Sequence, residues 1–102
     1  MDTKTLIAEA KARFAHNSAK DYLKEKYEAK LLVADQGGLW KADTQTISFL
    51  KSWQVTDNVV LIDTFNNPVK VDRIDLLMKL QDTYLKVMEE WHKEWKELES
   101  KR

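Results

Sequence analysis

The chain has 102 residues, enough for one domain with a modest core and too few for a core plus a separate catalytic domain. Its 17 basic residues balance its 17 acidic residues, which argues against a protein that binds nucleic acid by neutralising phosphates. It contains no cysteine, so disulfides, thiolate catalysis and cysteine-bound zinc are excluded.

The first thirty residues have a helical pattern. A short helix is predicted from residue 3 to about residue 14, with one apolar face made of Leu6, Ile7, Ala10 and Phe14. His16, Asn17 and Ser18 interrupt this pattern, and a second helical run would then bury Tyr22, Leu23 and Tyr27. One bent helix fits the sequence equally well, because Asn and Ser weaken a helix without forbidding it.

Two β-hairpins separated by a short helix are predicted in the middle of the chain. Apolar runs on either side of Gly37-Gly38 indicate the first hairpin. The β-branched run over residues 58–65 meets Asn66-Asn67-Pro68, which is strong turn chemistry, and indicates the second. A cap at Asp43 or Thr44 predicts the helix between them, whose apolar members are Ile47, Phe49, Leu50 and Trp53.

A long amphipathic helix is predicted from residue 71 to the end, with Asp72 as its N-cap. Its apolar stripe is interrupted only by Glu94 and consists of Leu77, Leu80, Tyr84, Val87, Trp91 and Leu98, widened by Ile74, Met88 and Trp95. Such a helix is about 40 Å long, which exceeds the diameter of a compact domain of this size. Its end, about residues 90–102, is therefore expected to fray, to project or to pack on another chain.

Together these elements predict one α+β domain over residues 1–102. It has N-terminal helices, a small antiparallel sheet of two hairpins with a short helix between them, and the long C-terminal helix.

The residues that could carry catalysis are not arranged for it. Glu89 and His92 have the spacing of one half of a di-iron ligand set, but such a site needs a second motif and further glutamates. The serines lack a nucleophile-elbow context, and Gly37-Gly38 lacks the lysine of a phosphate-binding loop. Four aspartates, Asp57, Asp63, Asp72 and Asp75, are better explained by strand ends and capping. We therefore expect a protein that is not an enzyme and that has no cofactor and no metal.

The aromatic residues divide into two groups. Trp40, Trp53, Phe65 and Tyr84 are expected in the core, where aromatic side chains supply much of the buried area. Trp91 and Trp95 are harder to place inside so small a domain, and tryptophan is enriched at binding hot spots. The sequence is equally consistent with Trp91 and Trp95 contacting another protein and with their packing inside the chain. The predicted interface consists of Tyr84, Met88, Trp91, Trp95 and Leu98.

Four parts of the sequence are distinctive: Gly37 to Ala42, the segment 47–50, Val60 to Asp63 with Asn67 to Val69, and Met88 to Trp91. In these parts the chain resembles small uncharacterised proteins of tailed myoviruses that infect marine cyanobacteria. The resemblance implies a viral accessory or assembly-related protein and assigns no catalytic residue. The N-terminus lacks the apolar core of a signal peptide, so a cytoplasmic location is expected. For a viral protein this is the cytoplasm of the host cell, with incorporation in the virion as a further option.

The leading hypothesis is a non-enzymatic interaction protein that forms a homo-oligomer through its C-terminal helix, as a structural or assembly component of a virus. The alternative is a small regulatory protein that binds a host or viral enzyme. Nucleic-acid binding by Lys20, Lys24, Lys26 and Lys30 is disfavoured, because Asp21, Glu25 and Glu28 interleave with them. A membrane partner is not expected, because the polar face of the helix is balanced and no apolar run approaches ~20 residues.

Overall fold

The computed structural model describes residues 3–52 and 57–101 and confirms the predicted α+β class. The elements are α1 (Thr3–Lys30), β1 (Leu32–Asp35), β2 (Gly38–Lys41), α2 (Thr44–Ser52), β3 (Asn58–Ile62), β4 (Pro68–Asp72) and α3 (Arg73–Ser100). β1 pairs with β2 and β3 with β4, in two antiparallel hairpins. The predicted position of Trp53 in the short helix and the core lies outside the described residues.

The N-terminal region forms one continuous helix, α1, rather than two. Leu23 and Tyr27 are buried, whereas Leu6, Ile7 and Phe14 are exposed. At about 100° per residue the two sets lie roughly 135° apart around the helix, so the apolar side changes along α1. The interruption at residues 16–18 therefore marks this change of side and not the end of a helix.

Tyr22 was expected to be buried beside Leu23, and this expectation is wrong. Its side chain is 65% exposed. Successive residues of a helix point about 100° apart. Because α1 is buried on one side only, the residue just before Leu23 points away from the buried side. Leu23 and Tyr27, four residues apart, share the buried side instead.

The first hairpin turns at Gln36 and Gly37, one residue earlier than the Gly37-Gly38 pair. Both have positive φ, 50° and 80°, as a two-residue type I′ turn requires. Gly38 already pairs with Asp35 in the ladder. A Cβ at Gly38 would lie 2.6 Å from the Trp40 ring. The buried indole of Trp40 can therefore pack against this position only because Gly38 has no side chain.

The second hairpin is organised by Asp63, which is buried. Its carboxylate accepts backbone N–H bonds from Leu39 (3.1 Å), Phe65 (3.0 Å) and Asn67 (2.9 Å). The backbone therefore turns around this carboxylate, with Asn66 at φ 65°. Phe65, expected in the core, is 69% exposed, because it lies on the outside of this turn.

The predicted N-cap of α3 is confirmed. Asp72 Oδ1 accepts from the N–H groups of Ile74 and Asp75, each at 3.1 Å. Beyond the cap, Leu76, Leu80 and Val87 are buried, and the partly buried residues packed against the core include Leu77, Tyr84, Trp91 and Leu98. The core lies where α3 meets α1, α2 and the inner faces of the hairpins.

Candidate interaction surfaces

α1 lies antiparallel to the C-terminal half of α3. Tyr27 is buried in this contact and stacks on Trp91, with ring centroids 5.9 Å apart and planes inclined by 10°. Such stacking adds to the free energy gained from burial alone. Trp91 therefore packs within its own chain, although it sits near the end of a helix that is long for the domain.

Two ion pairs and one close histidine–carboxylate approach follow the same contact. Lys26 Nζ lies 2.8 Å from Glu94 Oε1, Lys30 Nζ lies 3.5 Å from Glu90 Oε2, and His16 Nε2 lies 3.3 Å from Glu99 Oε1. Along these contacts the residue numbers rise in α1 while they fall in α3, so the two helices run antiparallel. His16 was expected in a polar break between two helices and instead lies within α1, on the side that meets α3.

Glu94 interrupts the apolar stripe of α3 because it faces a lysine rather than the core. The hydrogen bond from Lys26, followed by that from the Tyr27 hydroxyl, lowers the pKa of the Glu94 carboxyl. The same bond to Glu94 raises the pKa of Lys26. Both side chains remain about one-third exposed, so solvent screens the pair, which mainly favours one register of α1 on α3.

The five residues of the predicted interface do not share one degree of exposure. Tyr84, Met88, Trp91 and Leu98 are partly buried within the chain. Trp95 is 39% exposed and stacks on His92, with centroids 6.1 Å apart. Trp95 is therefore the member of the predicted set that offers the most surface to another molecule.

The largest difference from the expected burial lies at the N-terminal end of α1. Leu6 is 53% exposed, Ile7 50% and Phe14 75%. With Ala10 these residues form a continuous apolar side, which we call the tip face. The tip itself, residues 3–15, is exposed along its whole length. The sequence pattern identified this side of the helix, but nothing in the pattern indicated whether another element would cover it.

Over residues 3–52 and 57–101, no three His, Asp or Glu side chains come together as metal ligands. Glu89 and His92 are both exposed. Within the same residues, no helix is long and apolar enough to cross a membrane.

Comparison of the chain with family models, with curated proteins and with solved structures gives no match.

Proposed function

We propose that this protein is a non-enzymatic interaction protein that self-associates through the helical arm formed by α1 and the C-terminal half of α3. The observation that carries the proposal is the tip face, four apolar residues on a helical segment that its own chain leaves exposed. The sequence hypothesis placed the contact on α3. We now propose that the contact lies mainly on α1, because the exposed apolar residues Leu6, Ile7 and Phe14 belong to that helix. Trp95 is the contribution from α3.

The tip needs a partner for energetic reasons. A helix of about 12 residues is marginal in water without packing against an apolar face. Full burial of a leucine, isoleucine or phenylalanine side chain is worth about 1.5–3 kcal/mol each. Covering Leu6, Ile7 and Phe14 would therefore stabilise both the contact and the helix that presents it.

A second copy of the chain fits the tip face by shape. If two tips cross antiparallel at Ala10, Leu6 of one copy lies opposite Phe14 of the second copy, and the small Ala10 side chains meet at the crossing. Both copies then use the same surface, as a two-fold contact requires. The antiparallel arrangement is thus self-complementary in shape.

The test is light scattering coupled to size exclusion on the wild type and on a Leu6→Asp, Phe14→Asp double variant. We expect the wild type to be a dimer or larger and the double variant to be a folded monomer. The matched control is an Ala8→Asp, Ala15→Asp double variant, which adds the same charges to the same exposed segment away from the tip face. It should associate like the wild type.

Other outcomes separate the surfaces. A Trp95→Ala variant that becomes monomeric, while the tip variant still associates, would place the contact on α3 as the sequence hypothesis had it. A wild type that stays monomeric at high micromolar concentration would overturn self-association altogether.

The resemblance to cyanophage proteins would make the assembly a viral one. The supporting result would be the presence of this chain in purified virions by mass spectrometry. Its presence in infected cells and absence from virions would favour an accessory role outside the particle.

A further inference from the structure

Within residues 3–52 and 57–101, the hairpin of β3 and β4 has one edge that other groups protect and one edge that they leave open. In an antiparallel pair, every second residue of a strand directs its N–H and C=O towards the partner strand. The Asp63 N–H bonds to the Asn67 carbonyl across the hairpin, so odd-numbered residues of β3 face β4. The N–H and C=O groups of Val60 and Ile62 therefore point away from β4.

The outer edge of β4 is protected in three ways. Pro68 has no N–H to offer, and Lys70 places a charged side chain at the next outward-facing position. At Asp72, the side-chain amide of Gln36 forms both hydrogen bonds that a neighbouring strand would otherwise form. Its Oε1 accepts from the Asp72 N–H at 2.7 Å, and its Nε2 donates to the Asp72 carbonyl at 3.2 Å. Another strand cannot add at this edge without displacing these groups.

The outer edge of β3 lacks such protection. A single backbone bond, from the Thr64 N–H to the Leu39 carbonyl at 2.9 Å, joins it to β2, and the two strands then diverge. Val60 and Ile62 are each 62% exposed. Among the described residues, no group hydrogen-bonds to their outward-facing backbone. An exposed, apolar strand edge of this kind is a template for another strand.

A cleft of about 600 Å³ runs beside this edge, between β2, α2 and β3. Trp40 and Lys41 line one wall, and Phe49 and Leu50 of α2 line another. Leu50 is fully buried, whereas Phe49 is 47% exposed to the cleft and solvent. The cleft thus places apolar surface next to unpaired backbone groups, the combination by which strand addition obtains both affinity and side-chain selectivity.

We propose that this cleft binds an extended peptide segment of another protein, which adds as a third strand to the outer edge of β3. The segment would carry apolar side chains at alternate positions to contact Phe49, and an acidic side chain to meet Lys41 at the rim. This site lies apart from the tip face and does not depend on self-association.

A single extended chain fits the cleft better than a second copy does. In a second copy, the same β3 edge lies between its own α2 and β2, so the flanking walls of the two copies would collide before the edges paired. A five-residue strand edge also buries far less than the roughly 1,200 Å² of a stable protein interface. The site therefore suits weak and reversible capture of a short segment.

The test uses fluorescein-labelled hexapeptides of the form Glu-X-Thr-X-Thr-X, with X as Val, Ile, Leu or Phe, and measures binding by fluorescence anisotropy. At least one should bind the wild type, with amide shifts at Val60 and Ile62 in ¹⁵N spectra. Two N-methylated versions of the best peptide, methylated at the X or at the Thr positions, keep the side chains and remove alternate N–H groups. One should lose binding and the other should retain it.

Protein variants complete the test. Phe49→Asp should weaken binding by about tenfold or more, as expected for loss of an apolar anchor. Lys70→Thr, on the edge of β4, should leave binding unchanged. The proposal is overturned if no peptide binds up to about 1 mM, if both methylated peptides bind equally well, or if the amide shifts lie on α1. It is also overturned if Val60 and Ile62 shift with protein concentration alone, since a second copy would then occupy the edge.

Discussion

The Asp63 carboxylate joins two parts of the chain that are separate in sequence. It accepts from Phe65 and Asn67 in its own loop and from Leu39 in β2, and it does so from a buried position. The N–H of Asn67, with those of Leu39 and Phe65, lowers the pKa of Asp63 against the opposing effect of burial.

This lowered pKa predicts a pH dependence of stability. A carboxyl whose folded pKa lies below its unfolded value, about 3.9, stabilises the fold above that value and loses the contribution as pH falls through the folded pKa. Asp63→Asn cannot titrate, so its urea midpoint should fall less steeply than that of the wild type between about pH 5 and pH 2. If the urea midpoints of the two proteins fall with pH at the same rate, the protonation of Asp63 does not contribute to the pH dependence of stability.

Trp91 and Trp95, one helical turn apart, should respond differently to truncation. Trp91→Ala removes the stack on Tyr27 and should lower the free energy of unfolding by about 2–3 kcal/mol. Trp95→Ala acts on an exposed ring and should change it by less than about 1 kcal/mol. Urea denaturation of both variants at low protein concentration measures the difference. Equal losses would mean that the two rings are buried alike.

At the scale of elements, the order of helices and strands follows from local signals. Asp72 caps α3, the Gly-containing turn closes the first hairpin, and Asn66 closes the second. Burial was harder to predict, because a helical pattern shows which residues share a side but not what covers that side. Phe14 has the same spacing as a core residue and is 75% exposed. Glu94 interrupts the apolar stripe of α3 because it pairs with Lys26, which is 68 residues away in sequence.

The candidate sites depend still more on contacts that are distant in sequence. Gln36 helps to close the edge of β4 from 36 residues away in sequence, so this protection cannot be predicted from the strand itself. The strand signal at residues 58–62 predicted the strand correctly but could not show which of its edges remains unpaired. Likewise, the tip face becomes a candidate surface only once α3 is seen to contact α1 elsewhere.

The tip of α1 should be only weakly stable as a helix until it is packed. We expect the backbone amides of residues 3–15 to exchange rapidly with deuterium in dilute protein and to become protected as the concentration rises, because tertiary contacts supply most of the stability of a short helix. The Leu6→Asp, Phe14→Asp variant should lose the concentration dependence. Equal protection of these amides at all concentrations would indicate that the chain itself covers the tip.

For the whole molecule, the distinctive property is its shape. The radius of gyration is 19.4 Å and the longest extent is 66 Å. A compact chain of about 100 residues has a radius of gyration near 13 Å. The excess arises because α1 overlaps α3 over only part of its length.

Small-angle X-ray scattering on the monomeric tip variant measures this shape directly. We expect a radius of gyration near the 19.4 Å of the structure and a maximum dimension of at least 66 Å. A wild-type dimer joined at the tips should be longer still. A radius of gyration close to about 13 Å would mean that the tip folds back onto the body.

Because α1 contains neither glycine nor proline, it has no natural joint between the tip and the body. In a dimer joined at the tips it would act as a ruler, holding the two bodies at a set separation and a set angle. Each residue inserted between positions 15 and 22 would move a body by about 1.5 Å and rotate it by about 100°. Seven inserted residues, close to two full turns, would nearly restore the original phase, whereas two would turn each body to almost the opposite side. An assembly that recognises both bodies at once would tolerate the first change and reject the second.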